Sequence, residues 1–130
     1  MQFLVAIHLP DDYDPSKEDA SLMKDISDLN EEMIAKGVRV FVGGLQTATR
    51  AKTIRARNTG GMVVTDGPFV EAKEHVGGFW VLECEGLDEA LEWGKKATVA
   101  CRAPVEVRQF MDAPPERLKV RQEAVARGER

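Results

Sequence analysis

The segment whose residue types best suit acid–base chemistry spans residues 65–78, TDGPFVEAKEHVGG. Asp66 ends an apolar run, and a turn must follow because Gly67 tolerates unusual φ values and Pro68 fixes the next one. Titratable side chains then follow closely, at Glu71, Lys73, Glu74 and His75. Because pKa values are often tuned where such groups converge, the segment predicts an acid–base site centred on Asp66. An exposed loop with salt-bridging charges is the alternative.

Two other candidates lie on expected strands. His8 falls on the face opposite Phe3 and Ile7, and an imidazole there could exchange protons near neutral pH if that face lines a cavity. Arg108 alternates with valines and could bind an anionic oxygen, or simply form a cross-strand pair with a carboxylate such as Glu83 or Glu106. The two histidines show no paired spacing, so no metal site is expected.

The elements that must position these groups are read from hydrophobic periodicity and from turn residues. Strands are expected at residues 1–9, 38–42, 51–57, 62–65, 77–84 and 105–111. Helices are expected at residues 15–36 and 87–99, the first beginning at Asp14-Pro15 and ending before Gly37. Gly43-Gly44 is expected to interrupt the second strand, as a bulge or a close backbone approach. His75 is expected in a loop.

This order of elements predicts an α+β fold, a ferredoxin-like split βαβ arrangement with an extra β-hairpin. The helices would cover one face of an antiparallel sheet. The other face mixes apolar and polar residues, and the chain supplies no second sheet to cover it. A homodimer, with sheet packed on sheet, is therefore expected.

Composition narrows the class of protein. The chain has 130 residues and a net charge of −4, which argues against a nucleic-acid partner. No apolar stretch approaches membrane-spanning length and no signal peptide is recognised, so a soluble cytoplasmic protein without a membrane partner is expected. Both cysteines, Cys84 and Cys101, are expected to be reduced, in the core or half-buried. Residues 112–130 are expected to form a separate tail, helical or frayed.

The segment DGPFVEAKEHVGGFWVLE resembles the signature of the YCII-related family in its DGPF branch. The matching residues are Asp66, Gly67, Pro68, Phe69, Glu71, Lys73 and Glu74. The resemblance covers residues 1–111, which we take as the domain. It implies a ferredoxin-like fold that dimerises into an α+β barrel, in agreement with the argument from the sheet faces.

The resemblance implies less about function. The better-known enzymes of the family use a His–Asp pair whose histidine lies in the first helix, and residues 15–36 contain no histidine, so that pair is not carried over. One hypothesis is a small-molecule enzyme without a cofactor, in which Asp66 and His8 are catalytic in a dimer cavity. Its substrate-binding residues would be Lys73, Glu74, Arg108 and Phe69. The alternative is a ligand-binding or regulatory module, associated with an extracytoplasmic-function sigma factor, in which the motif is structural through Gly67 and Pro68.

Overall fold

The computed structural model describes residues 1–112 and 127–128, with two α-helices and six strands. The strands are β1 (Gln2–Pro10), β2 (Arg39–Gly44), β3 (Lys52–Ala56), β4 (Met62–Asp66), β5 (Glu74–Glu83) and β6 (Val105–Gln109). The helices are α1 (Ala20–Ala35) and α2 (Leu87–Cys101). The chain therefore follows the predicted order, in which a hairpin is inserted between two βαβ-like halves.

Four strands form one antiparallel sheet in the order β2-β5-β1-β6, whereas β3 pairs with β4 in a separate hairpin. β1 is central, as its apolar residues on both faces predict. The hairpin turns at Gly60 and Gly61, which both adopt positive φ values. The α+β class and the ferredoxin-like topology with an extra hairpin are thus confirmed.

The hydrophobic core lies between the four-stranded sheet and the helices. The largest fully buried side chains are Trp80, Phe3, Met33, Leu82 and Val5. α2 packs very closely on the sheet: a Cβ atom added to Gly94 would lie 2.8 Å from Cγ2 of Val107. Small residues on this helix therefore set how deeply it packs.

The first helix begins later than predicted. Asp14 and Pro15 start a separate 3-10 turn, Pro15–Lys17, in which the Asp14 carboxylate accepts from the Ser16 N–H. The α-helix begins at Ala20, where Asp19 accepts a hydrogen bond of 2.7 Å from the Leu22 N–H. Both aspartates are good N-caps, and the sequence alone could not rank them.

Two predictions about the strands are also wrong. β2 runs through Gly43-Gly44 without interruption, because these glycines pair with Phe79 and Gly78 of β5. The predicted close approach is nevertheless present, since a Cβ atom on Gly78 would lie 3.0 Å from the Gly43 carbonyl oxygen. β5 begins at Glu74, so Glu74 and His75 lie on a strand and not in a loop.

The face of the sheet that points away from the helices is partly apolar. Cross-strand pairing places Leu4 and Ala6 of β1 on this open face with Phe79 and Val81 of β5. Phe41 of β2 stacks beside Phe79, with ring centroids 5.8 Å apart, and is 54% exposed. We call these five residues the open sheet face.

The predicted tail lies almost wholly outside the described residues, since residues 113–126, 129 and 130 are not described. Of the helices in the described ranges, none combines the length and the apolar character needed to cross a membrane.

Candidate functional site

A cleft opens where the sheet meets the segment leading into α1. Its outer part, of about 180 Å³, is lined by the end of β1, the 3-10 turn at Pro15 and the residues after β2, and His75 and Gly77 of β5 complete the wall. A second chamber, also about 180 Å³, continues inward beneath α1. The two parts share the residues Leu9, Tyr13, Glu18, Gly44 and Gly77.

Tyr13 and Glu18 stand where the two chambers meet. The Tyr13 hydroxyl donates a hydrogen bond of 2.5 Å to Oε1 of Glu18. Burial and this carboxylate raise the pKa of Tyr13 to about 12, so the phenol stays protonated at neutral pH. Glu18 forms no ion pair with any residue of the described ranges.

His75 forms the most specific polar contact in the cleft. Its Nδ1 pairs with Oδ1 of Asp11, and its Nε2 lies 2.7 Å from the Val70 carbonyl oxygen. Because a carboxylate and a carbonyl both accept hydrogen bonds, the imidazolium form, in which both ring nitrogens donate, satisfies both contacts. The Val70 carbonyl, followed by the Asp11 carboxylate, raises the pKa of His75 above its ordinary value of 6.5.

A bulge in β5 places the His75 side chain in the wall of this cleft. Ile7 pairs with Gly78 but His8 pairs with Val76, so Gly77 is the extra residue and Leu9 becomes the partner of His75. If Gly77 paired with His8 in a regular ladder, His75 would pair with Pro10 and its side chain would lie on the opposite side of the sheet. A Cβ atom at position 77 would lie 2.2 Å from Cδ1 of Leu9, so a larger residue there would displace the Leu9 side chain.

The structure places Asp66 on the hairpin, at the end of β4. Its side chain is 86% exposed and pairs with the Lys52 ammonium group. The lysine hydrogen bond and charge lower the pKa of Asp66. Within the described residues, no hydrogen bond or ion pair joins Asp66 to His8 or Arg108.

The loop that follows Asp66 is hydrogen-bonded to the hairpin at one end and to the residue after β1 at the other. Gly67 adopts a φ of 98°, its N–H donates to the Ala51 carbonyl at 2.7 Å, and its own carbonyl accepts from the Thr53 hydroxyl at 2.8 Å. At the other end of the loop, the Lys73 carbonyl accepts from the Asp11 N–H at 2.8 Å. With the bond from His75 to Val70, the loop spans from the hairpin to the cleft.

The other side chains of the motif do not line the cleft. Phe69 is 66% exposed and lies under the Arg55 guanidinium, whose central carbon is 4.6 Å from the ring centroid. Lys73 and Glu74 are exposed, and neither forms an ion pair in the part of the chain that is described. Pro68 is half-buried beside Gly67.

His8 and Arg108 do come together, on the side of the sheet away from the helices. Both contact Glu106: His8 Nε2 lies 3.6 Å from its Oε1, and Arg108 donates to its Oε2 at 3.0 Å. Arg108 and, to a lesser extent, His8 lower the pKa of Glu106. Arg108 therefore pairs with a carboxylate, as the alternative predicts, but this carboxylate lies on the same strand and not across from it.

Asp11, Tyr13 and Glu18 were not among the sequence candidates. A polar residue directly after the first strand was visible at Asp11, but its pairing with His75 depends on strand register, which the sequence does not reveal. Cys84 and Cys101 are buried and free, as expected, and burial raises the pKa of each thiol to about 11. In the described ranges, no three histidine, cysteine, aspartate or glutamate side chains are grouped so that they could hold a metal ion.

Together, the split βαβ topology and the inserted hairpin carrying the Asp-Gly-Pro-Phe turn define an α+β domain of a recognisable type. The YCII-related domain matches residues 1–115, and the chain belongs to the YCII-related family. An uncharacterized protein of Rhizobium meliloti (strain 1021) is 37% identical over 79 residues. That alignment covers 61% of this chain and 63% of the relative, so the similarity spans less than two thirds of either protein.

Proposed function

We propose that this protein binds a small organic molecule in the cleft and exchanges a proton with it without a cofactor. The observation that carries the proposal is the Asp11–His75 ion pair in the wall of a largely apolar cleft. His75 has no free nitrogen, so it acts as a positioning residue. It orients the Asp11 carboxylate, and Asp11 is the group that can accept a proton from the bound molecule.

The motif supports this site indirectly. The loop after its turn places the Val70 carbonyl against the His75 ring and the Lys73 carbonyl against the Asp11 N–H. The loop therefore holds both members of the ion pair in position. Groups held by several hydrogen bonds to rigid elements lose less entropy when they bind a ligand. In this account, Gly67 and Pro68 are structural.

The binding step is tested by NMR on ¹⁵N-labelled protein with a panel of neutral, anionic and cationic fragments. We expect saturable shifts at the amides of Leu45, Thr47 and Gly77, which line the cleft. Asp11→Asn should weaken the binding at least about fivefold, a loss of about 1 kcal/mol. Asp12→Asn is the matched control, because this exposed neighbour lies outside the cleft. Equal effects of the two variants, or shifts confined to other surfaces, would refute the proposal.

The proton transfer is tested on any fragment that binds, by following the exchange of its carbon-bound protons in D₂O. The wild type should accelerate exchange over buffer, and Asp11→Asn should abolish the acceleration. If a fragment bound but its exchange were not accelerated, the proton transfer would be refuted and the protein would be a non-catalytic ligand-binding module.

A second candidate site is favoured by one feature of the hairpin. One of its faces carries the Lys52–Asp66 pair beside the pair Ile54 and Val64, which are 65% and 60% exposed. A partner subunit covering these apolar side chains would enclose Asp66, as the hypothesis of a dimer cavity requires. Asp66→Asn should then abolish turnover, whereas Glu71→Gln, in the neighbouring exposed loop, should not.

On the sequence evidence we further propose a homodimer formed through the open sheet face and a domain of residues 1–111. We also propose a cytoplasmic location and association with an extracytoplasmic-function sigma factor. Affinity purification of the tagged protein under conditions of expression tests the last of these, and recovery without any sigma factor would count against it.

A further inference from the structure

The inner chamber of the cleft is lined almost entirely by apolar side chains. Leu22 and Ile26 of α1 form its roof, and Val42 and Trp80 of the sheet form its floor. Its volume of about 180 Å³ exceeds the ~150 Å³ of an enclosed apolar cavity that binds benzene, so this half-open chamber has room for a ring-sized apolar group.

The floor of the cleft is kept open by glycine. Gly44 contributes to both chambers, and a Cβ atom added to it would meet no atom within 4 Å. Its φ lies outside the left-handed region, so a larger residue is compatible with the backbone. A side chain at position 44 would therefore occupy the space of a ligand and not that of another residue.

The charges near the mouth are unbalanced. Asp11 and Glu18 bring two carboxylates, while His75 brings one positive charge that Asp11 and Val70 already engage. Glu18 receives only the neutral Tyr13 hydroxyl, which leaves its charge uncompensated within the described residues. A nearby positive group on a ligand would be attracted, and an anionic group would be repelled.

We propose that the cleft selects small organic cations in which a ring-sized apolar group enters the inner chamber and an ammonium-like head contacts Glu18. This inference rests on the proposed function, because it names the ligand class of the same cleft. Unlike the proposed function, it states that the cleft distinguishes among ligands by both their charge and their shape.

The test compares benzylamine, benzoate and butylamine by NMR titration of the ¹⁵N-labelled full chain. The indole N–H of Trp80, which donates to Asn30 at 2.9 Å, reports on the inner chamber. Benzylamine should shift this signal saturably and bind about tenfold more tightly than benzoate and than butylamine. Glu18→Gln should remove most of the preference over benzoate, and Gly44→Leu should abolish binding of both aromatic probes.

Val40→Leu is the control for Gly44→Leu, because Val40 is exposed on the same strand and lies outside both chambers. Benzoate binding as tightly as benzylamine, or benzylamine binding unchanged in Gly44→Leu, would overturn this inference. If only anionic fragments bound in the cleft, this inference would be overturned but the proposed function would stand. The absence of cleft binding by every probe would refute both proposals.

Discussion

At the scale of single residues, the site depends on an imidazolium that joins three separate parts of the chain. His75 belongs to β5, Asp11 follows β1, and Val70 lies in the loop after the Asp-Gly-Pro-Phe turn. Sequence reasoning named His75 but assigned it to a loop beside Lys73 and Glu74. Its actual partners lie 64 and 5 residues away, and the more distant one could not be predicted without the register of β1 on β5.

Stability should depend on pH through His75. Its pKa is raised in the folded state, first by the Val70 carbonyl and then by Asp11, so its contribution is complete below the unfolded value of 6.5. That contribution is lost as the pH rises through the higher folded value. Urea unfolding of the wild type and of His75→Gln should therefore differ most on the acidic side of 6.5 and converge above the folded pKa. A difference that grows with pH would contradict this assignment.

The polar contact beneath the inner chamber should also matter for stability. Asn30 accepts a hydrogen bond from the buried Trp80 indole and donates one of 3.0 Å to the Ile26 carbonyl. Asn30→Ala would leave the indole N–H unsatisfied, at a cost of about 1–3 kcal/mol in the free energy of unfolding. Chemical denaturation measures this loss. Glu31→Ala, on the exposed side of the same helix, should change stability little, and an equal loss there would refute the role given to Asn30.

At the scale of elements, the order of strands and helices along the chain followed from periodicity, because apolar residues alternate or recur wherever one face is buried. The same alternation places Trp80 and Leu82 in the core and Phe79 and Val81 on the open sheet face. The bulge at Gly77 could not be predicted, since a glycine pair is equally consistent with a turn, a bulge or a close approach. It is this bulge that turns His75 away from the open sheet face and into the cleft.

The neighbouring glycines should respond oppositely to substitution. Gly78→Ala would place a Cβ atom 3.0 Å from the Gly43 carbonyl oxygen, a backbone atom that cannot move without shifting β2. Such overpacking typically costs about 1–3 kcal/mol. Gly44→Ala meets only open space, so it should be neutral or slightly stabilising through the unfolded state. Thermal unfolding of the two variants should show this contrast, and equal destabilisation would disprove the close approach.

At the scale of the whole molecule, the described chain leaves two apolar surfaces partly exposed, the open sheet face and one face of the β3–β4 hairpin. A two-stranded hairpin is marginally stable alone, and apolar sheet faces are usually covered. The motif turn connects the hairpin to the cleft, so the arrangement of the hairpin affects the site. These features explain why the sequence pointed to Asp66 while the geometry assembles a site around Asp11.

A homodimer through the open sheet face should have twice the chain mass of 14.4 kDa. Phe41→Asp should reduce the mass to that of one chain without loss of secondary structure, because Phe41 lies outside the core. Multi-angle light scattering coupled to gel filtration measures both. Val99→Asp is the matched control, since Val99 is 78% exposed on α2, on the helix side of the sheet, and should leave the mass unchanged. A wild-type mass of one chain would refute the dimer.

The most direct measurement is a crystal structure of the full chain soaked with the tightest-binding cationic fragment. The account predicts electron density in the cleft, with the apolar ring against Trp80 and the polar head within hydrogen-bond distance of Glu18 or Asp11. Density beside Asp66 under a partner subunit, with an empty cleft, would contradict it and would move the functional site to the hairpin.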